Sequence, residues 1–157
     1  MKLATWNVNS LSVRLGQVEE WIKKEKPDFL LLQETKQENI KFPHEAIRVL
    51  GYNSIHNGQK TYNGVAIISK YELFDIQNNI PGFEDEQKRL IAATANTNQG
   101  KIRVVCVYVP NGQSVDSDKY LYKLNWLKHL TLWLKNEVEL YPDIIIAGDF
   151  KIGRAHV

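Results

Sequence analysis

The chain has 157 residues, 43% hydrophobic and 24% charged, with 20 Lys and Arg against 18 Asp and Glu for a formal net charge of +2. That is the ordinary mix of a single globular domain and argues against disorder, collagen or coiled coil, and no apolar run approaches the ~18–20 residues of a membrane span. The near balance of charge gives no bulk argument for nucleic acid, so any such reading has to rest on local sites.

Residues Lys2–Val8 read as a first strand and Val13–Glu25 as an amphipathic helix, with Leu15, Val18 and Ile22 on one face and Ser12 as N-cap. Pro27 stops that helix. Phe29-Leu30-Leu31-Leu32 has the continuous apolarity of a strand buried on both faces. A short helical stretch over Pro43–Leu50 ends at Gly51. Tyr52–His56 and Val65–Ser69 read as strands around a polar loop, and Arg89–Asn96 and Lys101–Val109 as a hairpin turning at Thr97-Asn98-Gln99-Gly100. Asp118–Leu140 makes the longest helix, with Tyr120, Leu124, Leu127, Leu134 and Val138 as the expected apolar face. Asp143–Ala147 is another buried strand. The class is mixed α/β with a largely buried sheet.

Four strands end in polar residues that their apolar stretches do not explain: Asn7, Glu34, Tyr108 and Asp149. Singly each has an ordinary reading, as a turn Asn, a capping or ion-paired carboxylate, or a half-buried tyrosine. Together at one sheet edge they would offer oxygen ligands, which suit a hard Mg²⁺ rather than Zn²⁺. The matching chemistry is metal-assisted hydrolysis of a phosphate ester. Other candidates are weaker. His44, His56 and His129 lack metal-ligand spacing, and His56 reads as a loop histidine. Trp126 and Trp133 read as packing, and Gly58 and Gly64 make no phosphate-cradling loop because no GK[ST] follows. The single cysteine, Cys106, reads as core. It cannot form an internal disulfide, and with no signal-peptide apolar region at the start a reducing, cytoplasmic location is the expectation.

Thr5-Trp6-Asn7-Val8-Asn9-Ser10-Leu11, Leu32-Gln33-Glu34-Thr35-Lys36, Tyr108-Val109-Pro110-Asn111-Gly112 and Gly148-Asp149-Phe150 stand in the order and spacing of a known family. Residues 1–150 resemble the exodeoxyribonuclease III family, the bacterial apurinic/apyrimidinic endonucleases of the endonuclease/exonuclease/phosphatase superfamily. Gly58-Gln59-Lys60, Gly64-Val65-Ala66 and Lys88-Arg89-Leu90-Ile91 resemble the same branch. The resemblance implies a four-layered α/β sandwich, of which this chain is half, with mixed sheets and flanking helices. It implies DNA repair by Mg²⁺-dependent hydrolysis of phosphodiesters, 5′ to abasic sites and from 3′ ends, with Mn²⁺ able to substitute. The partner it implies is double-stranded DNA, with no membrane, and the protein is a monomer at full length. By motif, Asn7 and Glu34 match the metal-site residues, Tyr108 and Asp149 the catalytic ones, and Arg89 and Asn111 DNA contacts.

The family pattern continues Gly-Asp-Xaa-Asn, whereas here Lys151 follows Phe150, and residues 151–157 no longer resemble the family. They read as a truncation or junction tail. The family's second half is expected to supply the facing sheet, which would leave this chain with an exposed apolar sheet face, poorly soluble and essentially inactive. The alternatives are a superfamily phosphatase acting on small phosphate esters and a non-catalytic fragment.

Overall fold

The computed structural model describes residues 1–152. Residues 153–157, most of the tail that departs from the family pattern, lie outside the described residues. Two four-stranded sheets carry the fold. The first holds β1 (Leu3–Asn7), β2 (Phe29–Gln33), β3 (Asn53–Asn57) and β4 (Val65–Ser69) in the order β1-β2-β4-β3. The second holds β5 (Leu73–Asn78), β6 (Leu90–Thr97), β7 (Gly100–Tyr108) and β8 (Ile144–Asp149) in sequence order. β1 and β2 are parallel, as are β7 and β8; the remaining pairings are antiparallel.

Alternation along the buried strands sorts their side chains into three cores. Phe29 and Leu31 of β2, with Val65 and Ile67 of β4, face Ile91, Ala93, Val104 and Cys106 of the second sheet. Leu30 and Leu32, with Ala66 and Ile68, point the other way, onto Val18 and Ile22 of α1 (Leu11–Glu25) and Ile47 of α2 (His44–Val49). Ala92, Val105 and Val107 face Trp126, Leu130 and Trp133 of α3 (Asp118–Leu140). The layers therefore run helix, sheet, sheet, helix. This corrects one expectation: the facing sheet comes from this chain's own β5–β8, so the inner faces cover each other, with edge residues such as Leu3, Ile145 and Ala147 left partly buried. Among the described residues no helix is long and apolar enough to cross a membrane.

Three local differences have physical causes. β5 is not foreshadowed in the sequence, because Asp75 and a register shift between Phe74 and Gln77 break its alternation. Helix α1 starts at Leu11, and its N-cap is Ser10, whose side chain makes no capping bond; Ser12 lies inside the helix. Backbone contacts replace the cap, since the N–H groups of Ser10 and Leu11 donate to the carbonyls of Glu34 and Thr35 at 2.8 and 3.1 Å. Finally, α3 buries Trp126, Leu130, Trp133 and Glu137, whereas Leu124 and Val138 of the expected face are 46% and 49% exposed. The sheet beneath decides this: Arg103 of β7 is buried there, and its Nε donates to Glu137 Oε2 at 2.8 Å. Arg103 also bonds Thr94 Oγ1 at 3.1 Å and lies over the Tyr141 ring at 4.7 Å.

A buried pair of this kind is costly to break from one side, because the survivor is left as an uncompensated charge. Glu137→Ala is expected to cost about 3–5 kcal/mol in urea unfolding. Replacing both partners together, as Arg103→Met with Glu137→Leu, should recover most of that loss.

Candidate active site

The C-terminal ends of β1, β2, β7 and β8 meet at one edge, where the two sheets face each other. Register explains the meeting. Asn7 pairs with Gln33 across the parallel β1–β2 ladder, which puts Glu34 one residue beyond, and Tyr108 pairs with Asp149 across β7–β8. Close approach of β8 to β7 depends on Gly148, where a Cβ would stand 1.9 Å from the Val107 carbonyl oxygen. A side chain there would push Asp149 out of the group.

Asn7 joins the two sheets. Its Oδ1 accepts the Asn9 N–H at 3.0 Å, which turns Nδ2 toward the carboxylates. Nδ2 donates to Glu34 Oε2 at 2.5 Å and to Asp149 Oδ2 at 2.8 Å. Two carboxylates are thus held beside one amide, and two ammonium groups offset their charge. Lys36 Nζ is 3.8 Å from Glu34 Oε1, and Lys151 Nζ is 2.8 Å from Asp149 Oδ2. The two carboxylates fit the ligand set of a hard divalent cation, which takes one or two protein carboxylates and fills its shell elsewhere, while the Asn7 amide, with its Nδ2 toward them, orients them and offers that cation no oxygen in this arrangement. No larger group of acidic, His or Cys ligands exists among the described residues.

Tyr108 stands beside this group. Burial, followed by the neighbouring negative charge of Glu34, pushes its hydroxyl up to about 12, so it stays protonated as a donor near neutral pH. The Arg89 guanidinium lies 4.7 Å over its ring and donates from Nη1 to the Tyr108 carbonyl at 3.2 Å. From Tyr108 an open groove of ≈ 360 Å³ runs past Arg89, Asn111, Lys119 and Tyr122 to Tyr62. Asn111 is on its exposed rim, with Oδ1 accepting the Gln113 N–H at 3.0 Å.

All six residues singled out in the sequence are therefore found at the four strand ends or along the adjoining groove. The groove residues Tyr62, Lys119 and Tyr122 carried no sequence signal, because they come from two distant segments, the loop before β4 and the start of α3. Cys106 lies in the inter-sheet core as expected, and burial pushes its thiol up to about 12. Trp126 and Trp133 are packing residues. His56 is not a loop histidine but falls in the strand that the sequence predicts over Tyr52–His56. It is the fourth residue of β3, buried, stacked on Phe42 at a centroid distance of 4.4 Å and hydrogen-bonded through Nε2 to Thr35 Oγ1 at 2.8 Å.

Comparison with known proteins bears on the family and the fold. The profile of the Endonuclease/Exonuclease/phosphatase family matches residues 4–150. An exodeoxyribonuclease III from Haemophilus influenzae is 37% identical over 154 residues, covering 97% of this chain and 58% of its own length. A Neisseria 3′ phosphatase, NExo, solved with a product DNA hairpin, superposes with a TM-score of 0.92 at 42% identity, over 97% of this chain and 58% of that one. An AP endonuclease from Archaeoglobus fulgidus gives 0.87 at 41% identity, over 95% and 56%. The chain thus spans somewhat over half the length of these relatives.

Burial first, then the nearby His44, holds the His56 imidazole down at about 4, below its ordinary 6.5. The unfolded chain therefore binds the proton more readily as pH falls, so this contribution to stability is present above pH 6.5 and lost on descent toward pH 4. Urea unfolding is expected to show a loss on the order of 3 kcal/mol across that window, much reduced in a His56→Gln variant.

Proposed function

The chain belongs to the endonuclease/exonuclease/phosphatase family, and on that premise we propose that its four strand ends form the reaction centre of a DNA-repair phosphodiesterase of the exodeoxyribonuclease III type. The substrate is double-stranded DNA, cut on the 5′ side of abasic sites and from 3′ ends with Mg²⁺. The observation that carries the reading is the single amide of Asn7 holding Glu34 and Asp149 from opposite sheets at 2.5 and 2.8 Å, next to the groove of Arg89 and Tyr108.

Roles follow from the chemistry of each group. Glu34 is the principal cation ligand, and Asn7 keeps its carboxylate turned toward Asp149. The bound Mg²⁺ would supply a positive charge for the phosphoryl oxygens, on which negative charge builds in the transition state. Tyr108, protonated, donates from its hydroxyl to a phosphoryl oxygen. The carboxylate of Asp149 orients the attacking water or passes a proton to the leaving 3′ oxygen as the P–O3′ bond breaks. Arg89 and Asn111 lie along the groove where the sugar-phosphate strand would run. Contacts to phosphate carry no base information, which suits a repair enzyme that has to act in any sequence. An abasic sugar is also the easiest to draw out of the stack, since no base has to be unstacked.

The test is incision of a duplex with one abasic site, with enzyme in excess, against release of phosphate from inositol phosphates. Slow Mg²⁺-dependent incision on the 5′ side is expected, reduced about 10²–10³-fold by Glu34→Gln. Incision indifferent to Glu34→Gln, or faster turnover of inositol phosphates, rules the reading out. The rate is expected to be low because the Lys151 ammonium occupies Asp149. Lys151→Asn removes that opposing charge and should raise Mn²⁺ affinity about tenfold in calorimetric titration.

A further inference from the structure

Glu34 reaches the centre from a turn and not from its strand. β2 ends at Gln33, and Glu34 adopts a left-handed backbone, φ +56°, without being glycine. Such a residue persists only where its surroundings hold it. The next residue does the holding. Thr35 is fully buried; its N–H donates to the Gly64 carbonyl at 3.2 Å and its own carbonyl accepts from Leu11 at 3.1 Å. Its hydroxyl has one partner among the described residues, the His56 ring at 2.8 Å.

The space around this pair is closed on two sides by glycines. A Cβ at Gly64 would stand 2.1 Å from Thr35 Oγ1, and one at Gly58 would stand 2.1 Å from His56 Cε1. Phe42 covers the imidazole face. The other ring nitrogen, Nδ1, is buried without a hydrogen-bond partner among the described residues. Burying half of an imidazole unsatisfied costs stability, and a leucine or phenylalanine would fill the same space without that cost. Among the described residues the ring's one polar bond is to the hydroxyl next to Glu34.

We propose that Thr35 and His56 are a positioning pair that fixes the Glu34 carboxylate against Asn7 and Asp149. Neither touches the reacting atoms. The neutral ring locks the Thr35 rotamer, Thr35 locks the left-handed turn, and the turn aims Glu34. The effect on geometry stands on contacts alone, while the effect on cation affinity rests on the reaction-centre reading.

The test uses the whole chain and two readouts besides activity. The first is the side-chain amide resonance of Asn7, assigned by its loss in Asn7→Asp; the second is Mn²⁺ affinity by calorimetry. Thr35→Val, which keeps the shape and removes the hydroxyl, should move the Asn7 resonance and weaken Mn²⁺ about tenfold or more. His56→Leu should do the same, and the double variant should do no more than either. Thr35→Ser, which keeps the hydroxyl, should leave both readouts within twofold of the parent. A folded Thr35→Val protein with the parent Asn7 resonance overturns the proposal. An unchanged Mn²⁺ affinity in Thr35→Val, when Glu34→Gln loses binding, overturns it also. If Glu34→Gln leaves Mn²⁺ binding intact, the reaction-centre reading fails by itself, and the Asn7 resonance alone decides for or against the pair.

Discussion

Two carboxylates from different sheets share one amide, and much of the architecture serves that contact. Glu34 and Asp149 would repel each other if brought together bare. The Asn7 amide stands between them, and Lys36 and Lys151 approach from outside. None of the three groups could meet unless the parallel pairs β1–β2 and β7–β8 ended at the same edge. That in turn requires the two sheets to be locked face to face, which the dry layer of Phe29, Leu31, Ile67, Ile91 and Val104 provides. Burial of such side chains at about 1.5–3 kcal/mol each is what offsets the electrostatic cost of the polar edge.

The same contact explains features that seem unrelated along the chain. The start of α1 forgoes a side-chain cap because its first N–H groups are committed to the Glu34–Thr35 turn. Gly148 leaves β8 free to lie against the Val107 carbonyl. On the far side of the second sheet, the Arg103–Glu137 pair ties α3 to β7 and supports the strand that ends in Tyr108.

The sequence was legible where one force dominates. β2 and β4 are apolar up to their last residues, Gln33 and Ser69, and buried on both faces, so hydrophobicity places them to within a residue. α3 has the limits the sequence predicts, Asp118–Leu140, with Tyr141-Pro142 closing it. The strand-end residues stood out because a polar group at the end of an apolar run needs a reason. What could not be read depends on partners distant in the chain. Which face of α3 goes inside was decided by an arginine 34 residues away. The burial of His56 depends on Thr35 and Phe42, and β5 earns its place by pairing with β6 despite a broken pattern. The expectation of a missing facing sheet failed for a related reason: the two sheets are assembled from consecutive halves of this chain, which alternation along single strands does not disclose.

Cys106 has a practical meaning for anyone handling the molecule. It is the chain's one thiol, sealed between the sheets and held in its unreactive protonated form. Alkylating reagents attack the thiolate, so the folded protein behaves as though it were cysteine-free. A cysteine introduced on the groove rim would be the single attachment point for a fluorophore, and labelling at position 106 would serve as a clock for opening of the sandwich.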